Sequence, residues 1–177
     1  MPIADAASAA ELRGRYLDLV ERTLLNAVYG EPRLETALQI AAMRLRHPWQ
    51  TRAWSDRDFW PVKAHTMLGP ARVAHLRKLT EATLADRIPG DYIETGVWRG
   101  GACILMRAVM AAYGVSDRRV YVADSFEGLP RPDAARYPAD RGDKLFSFGE
   151  LAVSEAQVRR NFEAYGLLDD QVVFLKG

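Results

Sequence analysis

Cysteine is almost absent: Cys103 stands alone among 177 residues, so neither an intrachain disulfide nor a cysteine-cluster metal site can form. Charge of one sign is missing too. The 24 basic and 23 acidic residues leave a net charge of +1, which excludes the electrostatic footprint of a nucleic-acid-binding protein. No run of about 18 apolar residues occurs, so no membrane span is expected. The opening MPIADAASAAELRGR lacks an apolar core behind a basic start, so it is no signal peptide, and the chain is expected to be cytoplasmic. What is present is ordinary for one domain: 49% hydrophobic residues, and a length that buries about two-thirds of the unfolded surface.

The stretch around which the chain is organised is DYIETGVWRGG, residues 91–101, followed by ACILMRAVMAAYG and VYVADSF. It reads as strand, glycine turn, helix and strand, a βαβ unit opening on a ligand. Gly96, Gly100 and Gly101 let the backbone turn tightly and keep Cβ atoms away from a bound molecule, with a merely structural turn as the alternative. Asp124 closes the second strand at its carboxyl end, where ligands of open parallel sheets sit.

The spacing argues about which ligand. It is Glu94-x-Gly96-x-x-x-Gly100-Gly101, and the second glycine of a dinucleotide fingerprint would fall at Trp98. No Walker-type ending follows either. An acid two residues before the first glycine suits a cationic amine, and an acid closing the next strand suits the two hydroxyls of a ribose. S-adenosylmethionine has both groups. Against these roles stand local ones: Glu94 bonded to nearby amides, and Asp124 capping the loop that follows. Arg99 reads as solvated or paired rather than catalytic, and Cys103 as a buried, inert thiol.

Along the rest of the chain, residues 1–10 read as a frayed start. Leu12, Tyr16, Leu17, Val20, Leu24 and Val28 recur at helical spacing between Glu11 and Tyr29, and Gly30 with Pro32 stops that helix. Leu34 to Leu45 predicts a second helix ending near His47-Pro48. Trp49, Trp54, Phe59 and Trp60 then fall in one loop-like stretch, read as structural anchors, with a sugar-binding wall as the alternative. Pro70 suits the first position of a helix lined by Val73, Leu76, Leu79 and Leu84, with Pro89-Gly90 ending it. Residues 125–150, rich in Gly, Pro and charge, read as a lid over an acceptor site. Ser154 to Gln157 is a capping-box pattern starting a helix through Val158, Phe162 and Tyr165. Val172 to Leu175 is a third strand. Asp169-Asp170, in the turn before it, reads as a solvated pair.

The blocks YIETGVWRGGACILMRAV, VYVADSFEGLPRP and VRRNFEAYGLLDDQVVFLKG resemble the macrocin O-methyltransferase (TylF-type) family of S-adenosylmethionine-dependent sugar O-methyltransferases, and RYLDLVERTLLNAVYG and AHTMLG extend the resemblance over roughly residues 14–177. It implies an α/β, Rossmann-like class I methyltransferase fold, here truncated after the third strand. An N-terminal helical segment, 1–90, would precede a partial donor-binding domain, 91–177. The implied donor site comprises Thr66, Met67, Glu94, Thr95, Gly96, Gly100, Gly101, Asp124, Ser125, Phe126 and Gly177. Thr66 and Met67 have plain helix capping as their alternative. The acceptor would be a sugar hydroxyl of a macrolide-type natural product. The resemblance also implies a magnesium ion, held by carboxylates beyond Gly177, so no metal ligand and no catalytic base are named in this chain. Either a continuation, a second copy or another partner is expected to cover the open edge of the first strand. Two rival readings are an NAD-linked oxidoreductase, which lacks its glycine pattern, and a catalytically inactive donor-binding fragment or interaction module.

Overall fold

The computed structural model describes residues 6–46 and 61–177. The aromatic stretch Trp49, Trp54, Phe59 and Trp60 and the end of the second helix at His47-Pro48 lie outside the described residues. The elements run α1 (Ala6–Leu24), α2 (Arg33–Arg46), α3 (Pro70–Ala85), β1 (Tyr92–Thr95), α4 (Gly101–Ala112), β2 (Val120–Asp124), α5 (Glu155–Ala164) and β3 (Val172–Lys176). Three single-turn 3-10 helices, Pro138–Asp140, Leu145–Ser147 and Gly149–Leu151, punctuate the long β2–α5 connection. Among the described residues no helix is long and apolar enough to cross a membrane.

The strands form one parallel sheet in the order β1-β2-β3, with Tyr92 opposite Val120 and Val120 opposite Val172. Both crossovers run the same way along the sheet, so right-handed connections carry α4 and α5 on one face. Residues that share a register face the same side: Val120 and Val122 are fully buried, whereas Ile93 on the other face is 59% exposed. Among the described residues β1 pairs only with β2.

Helix α4 is apolar on every side apart from Arg107, as suits a helix packed all round. Residues Gly101 through Met110 are buried without a break. It packs against β1 and β2 on one side and against α1 and α3 on the other. One core therefore joins Leu17, Val20 and Leu24 of α1 to Val73, the sheet, and Val158 and Phe162 of α5. Three corrections follow. Helix α1 begins at Ala6, five residues before the predicted start. Leu12 and Val28 are exposed: the buried residues of α1, Leu17, Val20 and Leu24, lie in its carboxyl-terminal half, and Val28 lies past the end of the helix at Leu24. Leu79 of α3 is likewise exposed, and the buried Thr80 takes a core position, its hydroxyl donating to Leu76 O at 2.9 Å.

Local rules explain the element ends. Pro70 occupies the first turn of α3 behind Gly69. Ser154 caps α5, its Oγ accepting from Gln157 N. Asp169 corrects the solvated-pair reading. It accepts from Arg107 Nε at 3.1 Å and from Arg107 Nη2. Arg107 is buried within α4, so the turn before β3 is latched to the central helix.

Candidate functional site

A cleft of about 560 Å³ opens at the carboxyl ends of the three strands. Thr95 and Gly96 line it at the end of β1, Asp124 and Ser125 at the end of β2, and Lys176 and Gly177 at the end of β3. Met67, Trp98, Leu129, Pro130 and Leu151 complete the walls. A second cavity, about 320 Å³, lies at the unpaired edge of β1, lined by Leu68, Arg72, His75, Leu76, Ile93, Glu94 and Met106. The two share stretches but not residues: Met67 and Thr95 face the cleft, while their neighbours Leu68 and Glu94 face the smaller cavity.

Asp124 is held at the cleft by the glycine turn itself. Its Oδ2 accepts from Val97 N at 2.8 Å and Trp98 N at 3.4 Å, and its Oδ1 accepts from Phe126 N at 2.8 Å. The carboxylate thus fixes the turn and caps the next loop while still lining the cleft. Two of these acceptor positions are held only by long contacts, Trp98 N on Oδ2 and Ser125 Oγ on Oδ1, both at 3.4 Å, and these are the positions a ligand hydroxyl could take over.

The three glycines do different work. Gly96 has φ +81°, and a Cβ built on it would meet nothing within 4 Å, so this bend leaves open space beside the cleft. A Cβ at Gly101 would instead stand 2.4 Å from His65 O. One at Gly100, also at positive φ, would stand 2.8 Å from Val158 Cγ1. Gly100 and Gly101 admit the protein's own neighbours: α5, and the segment that carries Thr66 and Met67.

Glu94 points at α4, where its Oε2 accepts from the Cys103 thiol at 3.3 Å. Burial pushes its carboxyl up to about 7; the thiol's hydrogen bond opposes this, and the charge of Asp124 adds to it. The same burial and the Glu94 charge hold the Cys103 thiol well above its usual range, so it is un-ionised and inert.

Thr66 is buried, with Oγ1 accepting from Leu68 N at 3.0 Å, and Met67 is exposed to the cleft. Phe126 is buried against Phe174 rather than lining the cleft. Sequence reasoning missed Trp98 as a wall. At φ +50° it lines the cleft while largely buried, and its Nε1 donates to Glu150 O at 2.8 Å. That bond ties the end of the 125–150 loop to the glycine turn. Lys176 and Glu127 form an ion pair at 2.8 Å between the third strand and the same loop.

Gly96, open beside the carboxylate of Asp124, fits a ribose-bearing ligand such as S-adenosylmethionine. The second, buried carboxyl of Glu94 fits that molecule's ammonium. Among the described residues no group of three or more His, Cys, Asp or Glu could hold a metal ion.

Comparison with known proteins agrees with this geometry. The family model described as Macrocin-O-methyltransferase (TylF) matches residues 13–177. The chain is 47% identical over 168 residues to the 8-demethyl-8-(2,3-dimethoxy-alpha-L-rhamnosyl)-tetracenomycin-C 4'-O-methyltransferase of Streptomyces olivaceus, covering 94% of this chain and 62% of that protein. It is 44% identical to the Mycinamicin III 3''-O-methyltransferase of Micromonospora griseorubida, over 92% of this chain and 63% of the relative. The solved structure of the O-methyltransferase NovP superposes with a TM-score of 0.76 at 42% identity, covering 93% of this chain and 64% of that one. The chain thus spans a little over 60% of the length of the relatives it matches. With a three-stranded parallel sheet, a donor-sized cleft at its carboxyl edge and this match along nearly its whole length, the chain belongs to the macrocin O-methyltransferase (TylF) family and has its α/β, Rossmann-like methyltransferase fold.

Proposed function

We propose that this chain binds S-adenosylmethionine as part of an O-methyltransferase that methylates a sugar hydroxyl on a natural-product glycoside. The observation that carries the reading is Asp124 beside the open bend at Gly96, at the carboxyl ends of parallel strands. The relatives' names support the acceptor class, one being an O-methyltransferase of a rhamnosyl tetracenomycin and another of mycinamicin III.

In this reading Asp124 accepts hydrogen bonds from the ribose hydroxyls, and Met67, Trp98, Leu129 and Leu151 exclude water around the adenosine. Glu94 accepts from the ammonium at the other end, so the donor bridges the cleft and the smaller cavity past Met67 and Leu68. The bound donor supplies a methyl group on a sulfonium, transferred by in-line displacement. What this chain's residues contribute is orientation: two acids fix the ends of the donor, so its methyl group keeps one direction. The 125–150 loop, tethered through Trp98 and Glu150, acts as the lid, and a continuation of the chain, a partner or a second copy covers the unpaired edge of β1.

Isothermal titration of the purified chain with S-adenosylmethionine and with NAD tests the reading. Binding of the first alone is expected. NAD binding without S-adenosylmethionine binding removes the assignment.

A further inference from the structure

Residues 61–66 cross the amino terminus of α4 as an irregular strand, and their backbone polar groups are satisfied from both sides by two charged side chains. On one side is Glu31, two residues before α2. Its Oε2 accepts from Val62 N at 2.7 Å and Lys63 N at 3.0 Å, and its Oε1 accepts from Ala64 N at 2.9 Å. Asn26 Nδ2 donates to the same Oε1 at 3.2 Å and so orients the carboxylate. On the other side, Arg99 Nη1 donates to the carbonyls of Pro61 at 3.1 Å, Val62 at 3.0 Å and Ala64 at 2.7 Å. His65 closes the arrangement, its N donating to Leu24 O at 2.8 Å and its O accepting from Gly101 N at 3.0 Å.

Such a bracket has a geometric purpose. A non-regular segment has no ladder of its own, so each buried amide or carbonyl needs a partner from elsewhere. Glu31 supplies acceptors only and Arg99 donors only, which sorts the two edges of the segment without ambiguity. Arg99 is itself steadied on the Trp98 ring, 4.2 Å from its centroid. The absence of a Cβ at Gly101 lets the segment lie against the start of α4. Two residues after His65, Met67 emerges into the cleft.

We propose that Glu31 and Arg99 are positioning residues for the methyl donor: they hold the 61–66 segment so that Met67 forms one wall of the donor cleft. This rests on the function proposed above. Neither side chain lines that cleft, and both act through Met67.

The test is a double-mutant cycle on the full chain, read by calorimetric affinity for S-adenosylmethionine and by amide hydrogen exchange. Arg99→Ala and Glu31→Gln are each expected to weaken binding about tenfold, the effect of leaving buried backbone groups unpartnered. They should also speed exchange at Val62, Lys63 and Ala64 while the amides of β2 and α4 stay protected. Met67→Ala should weaken binding by itself, and Arg99→Ala should cost little further in that background. Arg99→Lys, which keeps a donor cation, should recover part of the affinity. Full additivity of Arg99→Ala and Met67→Ala, or unchanged affinity in both bracket variants, overturns the proposal while leaving the donor-binding reading intact. A wild-type chain that binds no donor overturns both.

Discussion

The Cys103 thiol donates to Glu94 Oε2 across 3.3 Å, where α4 packs on β1. A weak donor of this kind offsets little of the cost of a buried carboxylate, so Glu94 takes up a proton near pH 7. The folded chain then binds that proton more tightly than the unfolded chain. As far as this group decides it, stability is expected to be full below about pH 4.5, to fall as pH rises to about 7, and to stay level above that. The drop is at most about 3 kcal/mol. Urea unfolding at several pH values should show it, and Glu94→Gln should abolish this component and stabilise the chain at pH 8.

Donor binding is expected to respond to pH in the opposite sense. An ammonium pairs with Glu94 only once the carboxyl is ionised, so affinity should rise as pH climbs to about 7 and level off above it. Calorimetry across that range checks it; in Glu94→Gln the affinity should be lower and the rise absent.

Gly96 and Gly101 should part company when each becomes alanine. At Gly101 the new methyl group meets the His65 carbonyl, which is backbone and cannot swing away, so a loss of about 3 kcal/mol in stability is expected. At Gly96 nothing obstructs the methyl group, and the positive φ alone costs about 1–2 kcal/mol. Gly96→Ala should therefore fold yet bind the donor poorly, whereas Gly101→Ala should show its defect first in thermal unfolding.

Arg107 is buried with its Nη1 unpartnered, so it depends on Asp169 for neutralisation. Asp169→Asn should destabilise the chain by about 1–2 kcal/mol, less than a fully buried pair would because the Asp169 side chain is 43% exposed. Arg107 also holds the Asp169 carboxyl below its usual range. The pair's stabilisation should be complete above about pH 4 and fade as pH falls through the lowered value. Chemical denaturation at pH 7 and pH 3 distinguishes wild type from variant.

The sheet and the helices of the βαβ units were legible because each rests on a local signal. The apolar run of β2, the largely apolar run of α4 and the Ser154 cap are each written within a few consecutive residues. Asp124 was legible for the same reason, standing at the junction of a strand and a loop. What escaped notice depends on long-range pairing. Asp169 meets Arg107 across 62 residues, and Glu31 meets three amides more than 30 residues away. A carboxylate that serves main-chain amides leaves no mark in the sequence around either partner. The glycines show a subtler limit: spacing located the turn, but which of the three face a ligand and which face α5 or His65 depends on packing. Leu12 and Leu79 were assigned to apolar stripes because periodicity gives the face of a helix and not how much of its length is covered.

The most direct test of the account is a crystal structure of the chain with S-adenosylhomocysteine bound. The ribose hydroxyls should lie within hydrogen-bond distance of Asp124 and the ammonium within reach of Glu94, with Met67 against the ligand. A ligand seated elsewhere, or one bound with both carboxylates turned away from it, would contradict the account.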